Sequence, residues 1–336
     1  MPAVGARTQA TSWAARLLLL VLAAAVVVAI VRAYRRLDLD AIAAALGKLD
    51  WWHVPVLVAV LLLRQVLNAA PLAVYVPGAG FYRATINDLA AATASSFAPP
   101  PSDMVLRVTM FRSWGFDVSR ALAATAMNAM TMFILRFSAP LLGFILLPLI
   151  GVPLGLRALD FLSLLVAVAL TVGVLLVVHA EGQAERIGRT AGTLARMVRR
   201  GVDPEGWAGA FVAFQQNIAG GFSTRFPRAL LATFAMMCVD MFLLTLALRF
   251  VGVEPSQVSL LVIASAFFFA YPLTLFPMQG LGVLDAAMVA ALVQSAGHGV
   301  TEAAIAGLLI WRLFTIAGPL LLGAGAIVVW RRTSRQ

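Results

Sequence analysis

Residues 276–285 read Phe-Pro-Met-Gln-Gly-Leu-Gly-Val-Leu-Asp and separate two apolar runs, 259–276 and 281–296, each near the lower length limit for crossing a bilayer. Proline removes a backbone donor and glycine costs backbone entropy, so both fit poorly inside a regular helix. In hydrocarbon the freed backbone groups find no water, and such a break must be buried in protein or face a polar cavity. The stretch is therefore either a broken helix of the kind that transporters point at charged substrates, or a loop between two ordinary spans.

The composition indicates a membrane protein with many helices. Of 336 residues, 62% are hydrophobic and only 12% are charged, which leaves little for a soluble domain. The net charge of +10 comes from basic residues that flank apolar runs, which favours cytoplasmic loops and anionic lipid over nucleic acid. The single cysteine, Cys238, excludes an internal disulfide framework, and no Cys/His group has metal-ligand spacing, so we expect no cofactor or metal.

The apolar runs predict an all-α, polytopic helical membrane protein with about six full spans and two re-entrant broken-helix pairs, one around Pro99 and one around Pro277. The predicted spans are 17–31, 54–76, 119–150, 159–178, 229–251 and 303–330. We expect a disordered N-terminus over 1–16 and one transmembrane domain over 17–336. The run 17–31 could pass for a signal peptide, but no small-residue cleavage site follows it.

Two halves of the chain have similar patterns. In each half an arginine, Arg136 or Arg312, precedes a Pro-Leu-Leu segment, which predicts a repeat over about 54–150 and 229–330. The segment 181–226 between them is basic and amphipathic. It is either a helix that lies on anionic lipid or a helix whose charged face is solvated by water. Placing this segment and the basic C-terminus in the cytoplasm inverts the second repeat relative to the first, so Pro101 and Met278 should be reached from opposite sides. The orientation of the first span stays open, because arginines follow it directly.

Charged side chains within apolar runs are the candidate binding residues. An arginine at membrane depth must face the bundle interior or a wet cavity, and its planar guanidinium binds phosphate through two parallel hydrogen bonds. The arginines Arg64, Arg107, Arg136 and Arg312 outnumber the acids Asp240 and Asp285 in this core. For Arg64, a structural pair with an acid is an equally good explanation.

Three short motifs carry a resemblance to a known family. The first covers residues 95–140 and includes Pro99-Pro100-Pro101, Arg107, the heptapeptide Met-Phe-Arg-Ser-Trp-Gly-Phe at 110–116, Arg136 and Pro140; the second is 277–285, and the third is Trp311-Arg312. In this order they resemble the conserved blocks of the lysylphosphatidylglycerol synthase transmembrane, or flippase-like, family. The resemblance covers most of the chain beyond the first span.

The resemblance implies a function in lipid handling. Aminoacyl-transferring members of that family append a large soluble catalytic domain, whereas this chain ends at Gln336, so we expect the flippase-like part alone, without lysyl transfer. The expected protein is a multi-pass cell-membrane protein with both termini in the cytoplasm. It binds an anionic or polyprenyl-linked lipid in a polar cavity and moves it between leaflets, passively or coupled to an ion, since no nucleotide-binding loop is present.

The expected site has no catalytic residue and consists of Arg64, Arg107, Arg136, Gly280, Gly282, Asp285 and Arg312. We expect Arg107 and Arg312 to contact the headgroup, Asp285 to pair with Arg312 and gate the site, and the Gly280–Gly282 backbone to allow close approach. Two alternatives remain: an intramembrane transferase acting on a lipid phosphate, which would usually need an acidic cluster for a divalent metal, and a non-catalytic partner of a lipid or cell-wall assembly. Self-association is left open.

Overall fold

A computed structural model describes residues 39–97, 102–151 and 222–333, together with isolated positions between 165 and 216. Within these residues every regular element is helical, which confirms the all-α prediction. Several predicted features lie outside the described residues: the N-terminus 1–16, the span 17–31, most of the span 159–178 and of the amphipathic segment 181–226, and the proline break itself, 98–101.

Five stretches of the described chain are long and apolar enough to cross a membrane, which confirms a multi-pass membrane protein: His53–Tyr75, Val118–Ile150, Phe222–Phe250, Met278–Ala296 and His298–Thr333. We number the helices α1 (Leu39–Leu46), α2 (His53–Tyr75), α3 (Gly80–Phe97), α4 (Ser102–Ser113), α5 (Val118–Leu146), α6 (Phe222–Phe250), α7 (Leu260–Ala270), α8 (Val283–Ala296), α9 (Thr301–Arg312) and α10 (Gly318–Thr333). The predicted spans 54–76, 119–150, 229–251 and 303–330 correspond to α2, α5, α6 and the pair α9–α10.

Helices α2 and α6 pack against each other in antiparallel directions and give a reference axis for the described helices. The ring of His53, the first residue of α2, stacks on Phe250, the last residue of α6, with centroids 3.8 Å apart. Closer to the middle of both helices, Arg64 pairs with Asp240. We call the two ends of this axis the Trp52 end and the Tyr75 end.

Helices α3 and α4 form a hairpin that opens toward the Tyr75 end. Helix α3 begins at Gly80, shortly after Tyr75. Helix α4 ends near the same place, because its Phe111 belongs to the same buried hydrophobic cluster as Tyr75. The two arms are antiparallel, because Arg107 of α4 lies opposite Asn87 and Asp88 of α3. Helix α3 starts with the more polar residues 80–85 and continues into an alanine-rich second half.

Helices α7 and α8 form a second hairpin that opens toward the Trp52 end. Arg249 at the end of α6 holds the connecting loop by donating hydrogen bonds to the carbonyl oxygens of Val253 (2.8 Å) and Val258 (2.7 Å). After α8, the chain enters α9, where Gly307 packs directly on Leu248 of the last turns of α6. The two hairpins therefore open toward opposite ends, as an inverted repeat requires. Whether each hairpin is re-entrant stays a prediction, because Met278–Ala296 is long enough to cross a membrane.

Candidate functional site

The stretch between α7 and α8 is a true break in helical geometry. Met278 and Gln279 have positive φ values of 52° and 57°, a region that residues other than glycine rarely occupy and that carries strain. Gly280 and Gly282 also have positive φ. A Cβ atom on Gly280 would collide with the carbonyl oxygen of Leu273, so only glycine fits there. The predicted Pro/Gly interruption is confirmed, and the need for glycine at 280 comes from the packing of the loop on itself.

Asp285 and Arg312 form the buried pair that the sequence predicts. Arg312 Nε lies 2.7 Å from Asp285 Oδ1, with 6% of the arginine side chain and 20% of the aspartate side chain exposed. Asp285 Oδ2 accepts a 2.7 Å hydrogen bond from the backbone N–H of Gly282 and so caps the start of α8. This carboxylate therefore ties the broken stretch to both α8 and α9.

The other nitrogens of Arg312 bind backbone carbonyls of the same break. Nη1 donates to the oxygen of Gln279 at 3.1 Å and Nη2 to that of Gly280 at 3.4 Å. These carbonyls have no helical partner because the chain turns left-handed there, and the guanidinium replaces the missing donors. All three nitrogens of Arg312 are thus engaged in the loop, and its contact with a lipid headgroup stays a prediction.

Arg64 belongs to a second buried network, at the interface of the two halves. Its Nε lies 3.0 Å from Asp240 Oδ1, its Nη2 donates to Oδ2 at 3.1 Å, and its Nη1 donates to Gln65 Oε1 at 2.8 Å. Trp311 completes the network by donating from Nε1 to Asp240 Oδ1 at 3.0 Å. The sequence left two explanations open for Arg64, a ligand-binding role and a structural pair with an acid. The structure shows the pair with an acid, Asp240.

Arg107 is paired with an acid that sequence reasoning missed. Its Nη2 donates to Asp88 Oδ1 at 2.6 Å, and Asn68 of α2 donates to the other oxygen of this carboxylate, also at 2.6 Å. Asn87 accepts from Arg107 Nη1 at 3.3 Å. The available signal was an Asn-Asp pair in an otherwise alanine-rich apolar helix, since an acid at membrane depth marks a polar contact.

Arg136 differs from the other three arginines. Among the residues that the structure describes, it makes no ion pair and no hydrogen bond, and its buried Nε has no acceptor. Its nearest aromatic contact is Phe133, one turn earlier on α5, with 5.9 Å from the guanidinium carbon to the ring centroid. Across the helix interface it lies within electrostatic range of Tyr271. Arg136 is therefore a cation in an apolar helix without an anionic partner among the described residues.

The structure brings most of the predicted residues into one polar layer. Trp311 and Arg312 are neighbours, so the Arg64–Asp240 pair and the broken stretch share helix α9. Tyr271, in the 3₁₀ turn that follows α7, lies within electrostatic range of Arg64, Asp240 and Arg136, which adds this turn to the layer. Arg107 lies in the α3–α4 hairpin and binds Asp88, which accepts a hydrogen bond from Asn68 of α2. Asn68 lies one helical turn after Arg64 on α2. Gly282 faces open space, whereas Gly280 is enclosed by its own loop.

Comparison with known protein families gives a match over most of the chain. Residues 13–323 match the family model described as "Lysylphosphatidylglycerol synthase TM region". Neither a curated protein nor a solved structure matches the chain. The matched range includes all four arginines and both hairpins.

Proposed function

Because the chain belongs to the lysylphosphatidylglycerol synthase TM-region family, we propose that it is a flippase-like protein that binds an anionic phospholipid or polyprenyl-linked lipid and moves it between leaflets. The coarser part of this statement, an integral membrane protein related to lipid handling, follows from the family and from the spans. The finer part rests on one observation, the charge of Arg136, which no described residue compensates.

Counting the charges of the polar layer supports an anionic ligand. The arginines 64, 107 and 312 each have an aspartate partner, Asp240, Asp88 and Asp285 respectively, and Arg136 has none among the described residues. An unpaired charge in an apolar environment is costly, and a bound anion would remove that cost. A phosphate group fits the geometry, because guanidinium binds it through two parallel hydrogen bonds.

The charge of the two ends supports an orientation. Exposed arginines cluster at the Tyr75 end: Arg83, Arg112, Arg120, Arg228, Arg331 and Arg332. The Trp52 end exposes Asp50 and Glu254 with Lys48. Since cytoplasmic loops carry excess positive charge, we place the Tyr75 end in the cytoplasm. The α3–α4 hairpin then opens to the cytoplasm and the α7–α8 hairpin to the opposite side.

This orientation predicts the accessibility of the two breaks. In a background without Cys238, single cysteines at Ser96, the exposed end of α3, and at Met278, which is 63% exposed, should react with a membrane-impermeant maleimide from opposite sides of the membrane. Cysteines at Trp51 and Arg331 calibrate the two sides. Labelling of Ser96 and Met278 from the same side would exclude the inverted arrangement.

Arg136→Leu tests the proposed function directly. We expect at least about a tenfold loss of lipid affinity and of lipid movement, because hydrogen bonds to a charged group contribute about 1.5–3 kcal/mol. Thermal stability without lipid should be unchanged or higher, since no buried partner is left behind. The measurements are fluorescent-lipid movement in proteoliposomes and lipid-dependent thermal shift in detergent.

Two further variants sharpen the Arg136 test. Arg120→Leu removes a charge from the exposed first turn of the same helix and should leave lipid movement unchanged. Arg136→Lys keeps the charge but loses the paired donors, so it should have an intermediate effect. Wild-type movement by Arg136→Leu would refute the role of this residue.

The same vesicles separate the proposed function from the two alternatives. Lipid movement that persists with a chelator present supports transport, whereas a metal-dependent change in the lipid itself would indicate a transferase. The absence of movement and of turnover would favour a non-catalytic partner of a lipid assembly. Within the described residues, no group of three His, Cys, Asp or Glu side chains could hold a metal ion.

A further inference from the structure

We propose that α9 and α10 form one stiff unit that couples the two hairpins, with the widened turn between these helices as its pivot. Helix α9 contacts the α7–α8 hairpin and α10 contacts the α3–α4 hairpin, so a change in the seating of one hairpin alters the exposure of the other. This coupling does not depend on which ligand the protein binds. It goes beyond lipid movement, because it names the part that links the two sides of the protein.

The turn between α9 and α10 is π-helical. Residues Leu313–Ala317 form a π turn in an otherwise continuous helix over 301–333, and the N–H of Gly318 donates to the carbonyl oxygen five residues earlier. Such a turn holds one residue more than an α-helical turn, so it rotates the following helix by about 100°. Pro319 favours the wide turn, because a proline ring clashes with the carbonyl four residues earlier, here that of Thr315. The turn therefore decides which face of α10 meets its neighbours.

The π turn is held against α2. Gly318 lies so close to Leu61 that a Cβ atom on the glycine would be 2.6 Å from Cδ2 of that leucine. Thr315 is completely buried, and its hydroxyl donates a 2.8 Å hydrogen bond to the carbonyl oxygen of Trp311. Because a close-packed interior has little free volume, the turn cannot move sideways without displacing α2 or opening a cavity. It is therefore the fixed point of the α9–α10 unit.

On one side of this pivot, α9 holds the break of the α7–α8 hairpin. Arg312 directly precedes the turn, and it binds the Asp285 carboxylate and the carbonyl oxygens of Gln279 and Gly280. Met278, in the same break, is 63% exposed and reports on the position of the hairpin. A displacement of α9 therefore displaces the break.

On the other side of the pivot, α10 packs along the α3–α4 hairpin. Gly323 approaches α3 so closely that a Cβ atom there would overlap the hydroxyl oxygen of Thr93 and the carbonyl oxygen of Leu89. Further along α10, Trp330 Nε1 donates a 2.9 Å hydrogen bond to Oγ of Ser113, the last residue of α4. Helix α10 therefore contacts both arms of this hairpin.

Stiffness and close packing turn these contacts into a coupling. The helix continues through the π turn, so its two arms move together about the point that is fixed on α2. Packed interfaces do not deform gradually, so movement of an arm moves the hairpin that it contacts. The coupling is reciprocal, because each hairpin biases the same element.

The first experiment disturbs α10 at α3 and measures the α7–α8 hairpin. The full chain without Cys238 and without added lipid carries a single cysteine at Met278, and its labelling rate with a maleimide is measured in Gly323→Ala and Gly325→Ala. Gly323→Ala forces α10 away from α3, whereas a Cβ atom on Gly325 meets nothing within 4 Å. We expect at least about a threefold change in rate for Gly323→Ala and no change for Gly325→Ala.

The reciprocal experiment disturbs the α7–α8 hairpin and measures a cysteine at Ser96, the exposed end of α3. Asp285→Asn removes the charge that pairs with Arg312, whereas Ser259→Ala removes only the cap of α7 on the N–H of Val262. Both changes weaken the same hairpin, but only the first involves α9. We expect Asp285→Asn to change the labelling rate of Ser96 and Ser259→Ala to leave it unchanged.

A third pair of variants tests the pivot. Gly318→Ala presses the turn against Leu61 and should change the labelling rates at both Met278 and Ser96. Leu61→Ala in the same chain restores the space and should return both rates toward the wild-type values. Wild-type rates at both positions in Gly318→Ala would show that the turn is not the pivot.

Trp330→Phe is a milder disturbance of α10, because it removes only the hydrogen bond to Ser113, and it decides the test if Gly323→Ala fails to fold. An unchanged rate at Met278 in both variants would overturn the coupling, as would an equal response to Gly325→Ala. These rates are measured without lipid, so the coupling and the proposed function fail separately. A wild-type protein that moves no lipid but shows these responses would refute the proposed function alone.

Discussion

Replacing Arg312 by alanine should destabilise the folded protein by about 3–5 kcal/mol, the range typical of breaking a buried ion pair. The variant leaves the Asp285 carboxylate without its cation and the carbonyl oxygens of Gln279 and Gly280 without donors. The left-handed residues of the break then lose the contacts that offset their strain. We expect loss of lipid movement as well, because the broken stretch would no longer be held against α9.

Two variants of Asp285 separate the contribution of its ion pair with Arg312 from that of its capping hydrogen bond with Gly282. Asp285→Ala removes both the ion pair and the cap on Gly282, whereas Asp285→Asn keeps an oxygen for that cap and removes only the charge. Asp285→Ala should therefore be the more destabilising of the two. The double variant Asp285→Ala/Arg312→Ala should cost less than the sum of the singles, with a coupling energy of about 0.5–3 kcal/mol.

Thermal unfolding in detergent and lipid movement in vesicles measure this cycle. Asp117→Ala is the matched control, because Asp117 caps the start of α5 through the N–H of Arg120 but forms no buried pair. It should cost about 1 kcal/mol. Additive effects of the Asp285 and Arg312 variants in both assays would contradict a functional pair.

Replacing Asp240 by alanine should have an effect of similar size, about 3–5 kcal/mol. Asp240 is 3% exposed and holds Arg64 of α2 and Trp311 of α9 together with its own helix α6. Its removal leaves the Arg64 guanidinium buried, with Gln65 as its one remaining hydrogen-bond acceptor among the described residues. Because these three helices belong to both halves of the chain, the loss should loosen the interface between the halves.

Two variants test whether the Arg64–Asp240 charge pair, rather than packing, carries this effect. The double change Arg64→Leu/Asp240→Leu removes both charges and should be more stable than either single leucine variant. Trp311→Phe removes only the indole N–H bond and should cost about 1 kcal/mol. The unfolding midpoint in detergent is the readout. A double variant as unstable as the sum of its singles would show that the two residues do not act as a pair.

The class of the protein, the position of its helix break and one ion pair could be derived from residue order alone. Apolar runs long enough to cross hydrocarbon predict the spans, and Pro277, Gly280 and Gly282 mark the break because they act through the local backbone. Asp285 and Arg312 could be matched across 27 residues because each lies in an apolar run, where a lone charge is costly, and because both fall on motifs that resemble those of the family. These features depend on backbone chemistry and solvation cost, both of which a sequence displays directly.

The remaining partners depend on which helix faces meet, and only the packed structure supplies that. Arg64 finds Asp240 at a sequence distance of 176 residues, and helical periodicity does not say which neighbouring helix a face will contact. Asp88 was overlooked for the same reason, since its partners Arg107 and Asn68 lie on two other helices. That Arg136 has no acidic partner in the described layer is likewise a property of the fold. Each aspartate of that layer is paired with a different arginine, and these pairings depend on how the helices pack.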